Sequence, residues 1–330
     1  MQTTRMIVGV DVGGTNVVVG AVPEDGDTIY GFRKERTLVA EGPDAVVGQI
    51  KTMVESSLEE VGATLAQDDI EVVGVGIGSP GPLDTKSGVV LWTPNLGWTD
   101  FPLRDHVSEA VGLPATLDND ANCAIFGEWW RGAARGSNVV VGLTIGTGIG
   151  GGIVLNGEIY HGAGDVAGEL GHMTIDSAGR RCNCGNYGCL EAYASGTAIA
   201  ERAVEGIEVG AETSLPDLVS GDLSQVTAQL VYDAAHEGDD YALEVIKDTA
   251  RFLGTGVANL INIFNPEVVV ICGGVTAAGD KLFAPLRKEV RLRAFKPAVE
   301  MCRIVPGGLP GTAGVFGAVA AFKVQTWGAA

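Results

Sequence analysis

The chain has no apolar run of the roughly 18 residues that a bilayer crossing needs; each hydrophobic stretch is cut short by glycine or charge. No basic start followed by an apolar core stands at its beginning, so no secretory leader is expected, and the protein is read as cytoplasmic with no membrane partner. Positive charge is scarce: 22 lysines and arginines face 41 acids, a net charge of −19. Such a surface repels nucleic-acid phosphate, which disfavours DNA or RNA binding as the main activity. An acid excess also keeps proteins dispersed at high salt, so a high-salt host and an ordinary acidic cytosolic enzyme are both open. Cysteine is sparse too. Of six, Cys182, Cys184 and Cys189 lie together while Cys123, Cys272 and Cys302 are scattered, which excludes a secreted disulfide framework. What the chain does have is length and apolar content. Its 330 residues, 46% hydrophobic, exceed one comfortable core and fit two domains.

One arrangement of strand and turn signals occurs twice. Residues 6–11 read as a strand, Gly13-Gly14-Thr15 as a turn, residues 16–22 as a Val-rich strand and residues 24–27 as a hairpin loop. Residues 138–145, Gly146-Thr147-Gly148, residues 149–155 and Asn156-Gly157 repeat that plan. Two matching β units imply two domains of one topology with a cleft between them. Elsewhere the periodicity predicts helices over residues 44–61 and 118–132, buried strands over 72–78 and 268–271, a largely helical stretch from 190 to 264, and a small-residue helix over 312–323.

A phosphate donor near so acidic a chain needs local positive potential, and backbone N–H groups and a metal ion supply it. Glycines in Asp11-Val12-Gly13-Gly14-Thr15-Asn16 let the backbone approach an anion. Asp11 is placed to hold a hydrated magnesium ion and the Thr15 hydroxyl to donate to phosphate. No Gly-Lys-Ser/Thr run opens a helix, so a Walker loop is excluded. Gly146-x-Gly148-x-x-Gly151 matches the dinucleotide fingerprint, but a Val/Leu run follows instead of a helix, which excludes a Rossmann dehydrogenase. Either glycine turn alone reads equally well as a plain tight hairpin. Two turns, together with Gly273-Gly274 after a third strand, favour nucleotide binding.

Cys182-Asn183-Cys184-Gly185-x-x-Gly188-Cys189 carries the sharpest signal, with His172 ten residues upstream of the first thiol. Cys3His is a closed, structural zinc set, and its full ligand shell argues against zinc-driven hydrolysis; three free thiols in a loop are the bland alternative. A metal on one ring nitrogen of His172 leaves the other for a substrate. Glu169 stands three residues before His172 and Glu191 two after Cys189, so the zinc loop offers three polar groups. Neutral sugars need such a set, because their hydroxyls require paired donors and acceptors. In Leu117-Asp118-Asn119-Asp120-Ala121-Asn122, either Asp118 or Asn119 reads as a helix N-cap, and Asp120 as the candidate base for a hydroxyl proton. Trp92, Trp98, Trp129 and Trp130 are assigned to core, cleft wall or interface, and His106, His161 and His236 show no partner pattern.

These motifs, in this order, resemble the ROK family of sugar kinases and sugar-responsive repressors, and within it the glucokinase branch. The most specific pieces are Glu169-Leu170-Gly171-His172 and Cys182-x-Cys184-Gly185-x-x-Gly188-Cys189-x-Glu191. The resemblance implies an α/β, two-domain actin/hexokinase-like (ribonuclease H-like) fold with a central nucleotide/sugar cleft. The expected domains are residues 1–118 plus 311–330, and a larger one at 119–310 carrying the zinc loop. It implies transfer of a phosphoryl group from ATP, with Mg2+, to the 6-hydroxyl of glucose, with Asp120 as base. Asn119, Glu169, His172 and Glu191 would touch the sugar, with Asn95 and Gly81 beside them. Phosphates would lie against Gly13, Gly14, Thr15 and Asn16 and against Gly146, Thr147 and Gly148, adenine near Gly273 and Gly274, and structural Zn2+ on His172, Cys182, Cys184 and Cys189. ROK-like kinases also imply a homodimer or homotetramer. Many relatives carry Lys where this chain has Asn16, so one phosphate-side charge is missing, and ATP, ADP and polyphosphate all stay open as donors. Mannose, fructose, N-acetylmannosamine and N-acetylglucosamine remain alternatives to glucose. A DNA-binding repressor of the same family is disfavoured by charge and by the ten residues before Asp11, and a non-catalytic sugar-responsive regulator by the presence of Asp120.

Overall fold

The computed structural model describes residues 3–65 and 69–328. The chain opens with strands β1 (Thr3–Val12), β2 (Asn16–Pro23) and β3 (Tyr30–Arg36), then helix α1 (Pro43–Thr64) and strand β4 (Asp69–Ser79). Short strands β5 (Leu83–Asp84), β6 (Val89–Thr93) and β7 (Trp98–Phe101) precede α2 (Leu103–Val111), β8 (Ala115–Asn119) and α3 (Asp120–Trp130). Strands β9 (Val139–Ile145), β10 (Ile149–Leu155) and β11 (Glu158–Ile159) follow. Helices α4 (Glu191–Ala194), α5 (Gly196–Glu208), α6 (Leu215–Leu218), α7 (Ala228–His236) and α8 (Asp240–Phe264) lead to β12 (Val268–Gly273). The chain ends with α9 (Asp280–Arg293), α10 (Lys296–Met301), β13 (Arg303–Pro306) and α11 (Ala313–Trp327).

Two five-stranded sheets have the orders β3-β2-β1-β4-β8 and β11-β10-β9-β12-β13. The orders match term for term, so the doubled strand-turn pattern read from the sequence is a repeat of topology. In each sheet a three-strand meander is extended by parallel strands, β1–β4–β8 in the first and β9–β12–β13 in the second. Parallel neighbours need covered faces, which is why β1 reads as a nearly unbroken buried run.

The chain divides into two compact units, Met1–Asn138 with Gly152–Gly168 and Gly308–Ala330, and Val139–Gly151 with Glu169–Gly307. These bounds differ from the sequence expectation in placing residues 119–138, where α3 packs on α11, and residues 152–168 in the first unit.

In the first unit one sheet face buries Val8, Val10, Val17 and Val19 with Ile50, Met53 and Val54 of α1 and Leu103 and Val107 of α2. Their spacing along α1 is the i, i+3, i+4 pattern of a half-buried helix, and Pro43 in its first turn pre-sets the helical start. The other face packs Ile7, Val18 and Val22 against Val315, Phe316, Val319 and Phe322 of α11. Glycines permit that close approach: a β-carbon on Gly9 or Gly76 would collide with carbonyls of Val315 or Ala318, and one on Gly317 with the carbonyl of Cys123. Truncating the fully buried Phe322 to alanine would cost about 3–5 kcal/mol. The second unit buries the inner stripe of α8 from Ala242 to Ile261; Asp239 caps its start and Asn265, in the left-handed conformation, its end. Among the described residues no helix is long and apolar enough to cross a membrane.

Candidate active site

Asp11 stands near the end of β1, where the chain turns through Gly13 and Gly14 into β2. The Gly13 N–H donates to the Asn16 carbonyl at 2.9 Å and the Thr37 hydroxyl to the Gly13 carbonyl at 2.7 Å, so the loop is fixed from behind. Gly14 and Thr15 are left exposed, and Asn95, itself exposed, lies against Gly14. Asn16 is the register partner of the exposed Arg36 on β3. A β-carbon on Gly314 would collide with the Asp11 carboxylate, so that group is wedged against α11 although the residue is part-exposed. Burial, and then the like charge of Asp120, push the Asp11 carboxyl up to about 7. The buried Cys123 thiol is raised by burial and then by the charges of Asp118, Asp11 and Asp120, three carboxylates that act on one point.

That point is the junction of β8 and α3. Asn119 is the N-cap: its Oδ1 accepts from the N–H groups of Ala121 at 2.9 Å and Asn122 at 3.1 Å. Asp120 is the first helical residue, half-buried, its carboxylate near the positive end of the helix. Asp118 is 1% exposed and belongs to the strand. Its partner is a surprise to sequence reasoning. The imidazole Nε2 of His161, given no role on sequence grounds, lies 2.9 Å from Asp118 Oδ2. Forty-three positions separate the two, and no local pattern links them. Gly81 is half-buried in the loop after β4, followed by Pro82.

In the second unit His172 closes a short 3-10 turn, Leu170–His172, entered from Glu169. His172 Nδ1 is 3.7 Å from Cys182 Sγ, and Cys184 Sγ is 3.7 Å from Cys189 Sγ. The four ligand atoms lie within 4.8 Å of one another. Tetrahedral zinc with sulfur at about 2.3 Å sets thiolates about 3.8 Å apart, so the cluster fits that ion. Burial pushes the Cys182 thiol up to about 12, whereas the Asn186 N–H lowers Cys184; a bound cation would favour the thiolate in both. The other ring nitrogen, Nε2, is 3.9 Å from Glu169 Oε2. Glu191 Oε1 is 4.0 Å from His172 Nδ1, and its Oε2 accepts from the Ile149 N–H at 2.8 Å. The structure thus sets Glu169 at one ring nitrogen of His172 and Glu191 at the other. It also brings Glu191 against Gly148, where a β-carbon would lie 2.5 Å from the carboxylate.

Gly146 and Thr147 are exposed between β9 and β10. The Gly146 carbonyl accepts from the Gly196 N–H at 2.8 Å, and the Thr147 carbonyl from the Thr197 hydroxyl at 2.9 Å. Gly273 has φ 96°, and a β-carbon there would strike the Ile145 carbonyl, so only glycine fits. A cavity of about 440 Å³ opens here, lined by Ile145, Gly146, Thr147, Ala200, Val226, Gly274 and Val275 among others. Gly196 and Thr197, which brace the loop, escaped sequence reasoning because the sequence carries no local motif for them.

The ROK family model matches residues 7–325. A glucokinase of Thermotoga maritima is 39% identical over 324 residues, 98% of each chain. A putative xylose repressor of a Caldicellulosiruptor species is 34% identical over 320 residues, 97% of this chain and 78% of the repressor. A ROK family glucokinase from Streptomyces griseus, solved in complex with glucose and AMPPNP, superposes with a TM-score of 0.82 at 34% identity, covering 96% of this chain and 98% of that one. With a family match from β1 to α11 and the same fold in solved relatives, the chain belongs to the ROK family and has its actin-like sugar-kinase fold.

Proposed function

We propose that the protein is a glucokinase that moves the γ-phosphoryl group of ATP onto the 6-hydroxyl of glucose. The observation that carries the reading is its full-length likeness to two glucokinases, one solved with glucose and AMPPNP, in a chain that places Asp120 on a capped helix start. Asp120 accepts the proton of the attacking hydroxyl, a contribution of roughly 10²–10⁴-fold. Glu169, Glu191, His172 Nε2 and the Asn119 side chain offer the donors and acceptors that sugar hydroxyls need, with Asn95 and Gly81 as further contacts. The exposed backbone of Gly14 and Thr15, between Gly13 and Asn16, and of Thr147, between Gly146 and Gly148, offers N–H groups to phosphate, while the Gly13 and Gly146 N–H groups close the two turns. The apolar-walled cavity beside Gly274, next to Gly273, suits an adenine ring.

Two carboxyls that raise each other's cost, Asp11 and Asp120, fit a site that works with a cation. Magnesium, when bound, would neutralise charge on the transferring phosphoryl group, with Asp11 to hold it. Zinc, when bound by His172, Cys182, Cys184 and Cys189, would order the loop that presents Glu169 and Glu191. Reduced thiols in that set fit a cytoplasmic setting. Ile263, Leu292, Phe295 and Met301, exposed by 67–74%, give a homodimer or homotetramer an apolar surface to cover.

The test is a coupled assay on wild type and Asp120→Ala, run with magnesium at low and high salt. It crosses ATP, ADP and polyphosphate with glucose, mannose, fructose, N-acetylmannosamine and N-acetylglucosamine. Fast turnover of glucose with ATP, lost in the variant, is the expected result. No turnover of any hexose with any donor would sink the kinase reading.

A further inference from the structure

We propose that His161, as an imidazolium, is a positioning residue for the start of α3: it clamps Asp118, and Asp118 fixes the backbone that carries Asn119 and Asp120. The inference rests on the kinase reading above only for what the clamp is for.

Asp118 is the hub. It is 1% exposed, and a buried carboxylate is costly unless donors surround it. Four donors do. Oδ1 accepts from the Asn119 N–H at 2.8 Å and from Asn122 Nδ2 at 3.3 Å. Oδ2 faces His161 Nε2 at 2.9 Å and Gln325 Nε2, from α11, at 3.1 Å. The Oδ1 bonds fix the Asp118–Asn119 peptide and the Asn122 side chain in the first turn of α3. The Oδ2 bonds anchor the same carboxylate to two remote segments. Of the four donors only His161 carries a charge that pH can remove.

His161 is itself held. It sits on the segment after β11 that leads to Glu169, and its carbonyl accepts from the Ala167 N–H at 3.1 Å. Asp165 on that segment accepts from the Thr85 N–H at 3.0 Å and from the Thr85 hydroxyl at 2.8 Å. The charged groups facing His161 are Asp118, from β8, and Asp165, from its own segment; the backbone of Ile159 also bonds to it. The Asp118 hydrogen bond raises the His161 pKa above 6.5, with the charges of Asp118 and Asp165 adding and burial opposing. A raised histidine contributes its full stability below its unfolded value of 6.5 and loses it as pH climbs through the folded value. A neutral imidazole keeps one N–H, so it cannot donate to both Asp118 and Ile159. The clamp therefore loosens on the alkaline side.

The experiment follows kcat and the glucose KM of full-length wild type, His161→Gln and His161→Ala from pH 6 to 9.5. NMR of the His161 ring reads its pKa directly. Wild-type kcat is expected to fall with a midpoint at that pKa. His161→Gln, which donates to Asp118 without titrating, is expected to lose this limb and to stay within about threefold of wild type at pH 6.5. His161→Ala is expected to lower kcat about tenfold at pH 6.5 with KM shifted less than about twofold, the split of a misplaced base. Superimposable pH profiles for wild type and His161→Gln would overturn the proposal, even with a lower melting temperature, because a merely structural histidine does that much. An NMR pKa at or below 6.5 would overturn it too, and this reading needs no turnover. If wild type phosphorylates no hexose the kinase reading fails, and the ring titration still decides the clamp. If His161→Ala does not fold, His161→Gln and the titration carry the test.

Discussion

A carboxyl raised to about 7 is half protonated at neutral pH, and Asp11 reaches that state because it is wedged against Gly314 with Asp120 as a like-charged neighbour. Ionising such a group in the folded state costs stability. The loss begins above 3.8, the ordinary value, and is complete above about 7. Asp11→Asn is therefore expected to raise the melting temperature of the metal-free protein at pH 8, to leave it unchanged at pH 4, and to abolish turnover. A variant less stable than wild type at pH 8 would contradict this. Sites that work with charge are commonly the strained parts of a fold. The residue scale is also where the sequence is most and least informative. The Cys182–Cys189 spacing announces a ligand set, because thiols that close on a tight loop have few other uses. The His161–Asp118 pair announces nothing, because only the fold brings β8 to the segment after β11.

Among the elements, α3 and α11 pack backbone against backbone. Gly127 on α3 and Gly317 on α11 let the two backbones meet, and the Cys123 carbonyl fills the space a Gly317 side chain would need. Gly317→Ala is expected to destabilise by about 1–3 kcal/mol through overpacking, read as a lower denaturation midpoint. The small-residue run over 312–323 shows the helix but not its purpose, since alanines and glycines occur for many reasons. Strands β5, β6 and β7 were missed for a different cause. They hold only two, five and four residues, too few for alternation to register. The loop from Cys182 to Cys189 is predicted to depend on a bound zinc. One zinc per chain is expected by elemental analysis, and a strong chelator or Cys182→Ala should remove it and lower glucose affinity. Unchanged affinity in the zinc-free protein would show that the loop holds its shape alone.

Over the whole molecule a net charge of −19 makes acids repel one another at low ionic strength. Salt shortens that repulsion to a range of about 10 Å at 0.1 M. The melting temperature is expected to rise from 10 mM to 500 mM sodium chloride. A flat or falling curve would mean that local ion pairs, such as Arg180 with Glu205 and Arg33 with Glu60, outweigh the net charge. The doubled topology, though not the order of the strands, was visible beforehand because each copy opens with a strand, a glycine turn and a strand. The unit boundaries were not, because the chain crosses between the units at 138, 151, 168 and 307 without a change in composition.

The first unit is assembled from three stretches of chain, and α11, which buries Ile7, Val18 and Val22, comes last. On a ribosome adding about 5–20 residues per second, the β1–β2 face therefore waits about 10–40 s for its cover after residue 138 is made. During that interval a bare apolar sheet face is on offer to any passing chain. Synthesis speed and holding chaperones, more than the final stability, would then decide how much of each batch of this protein survives its own birth.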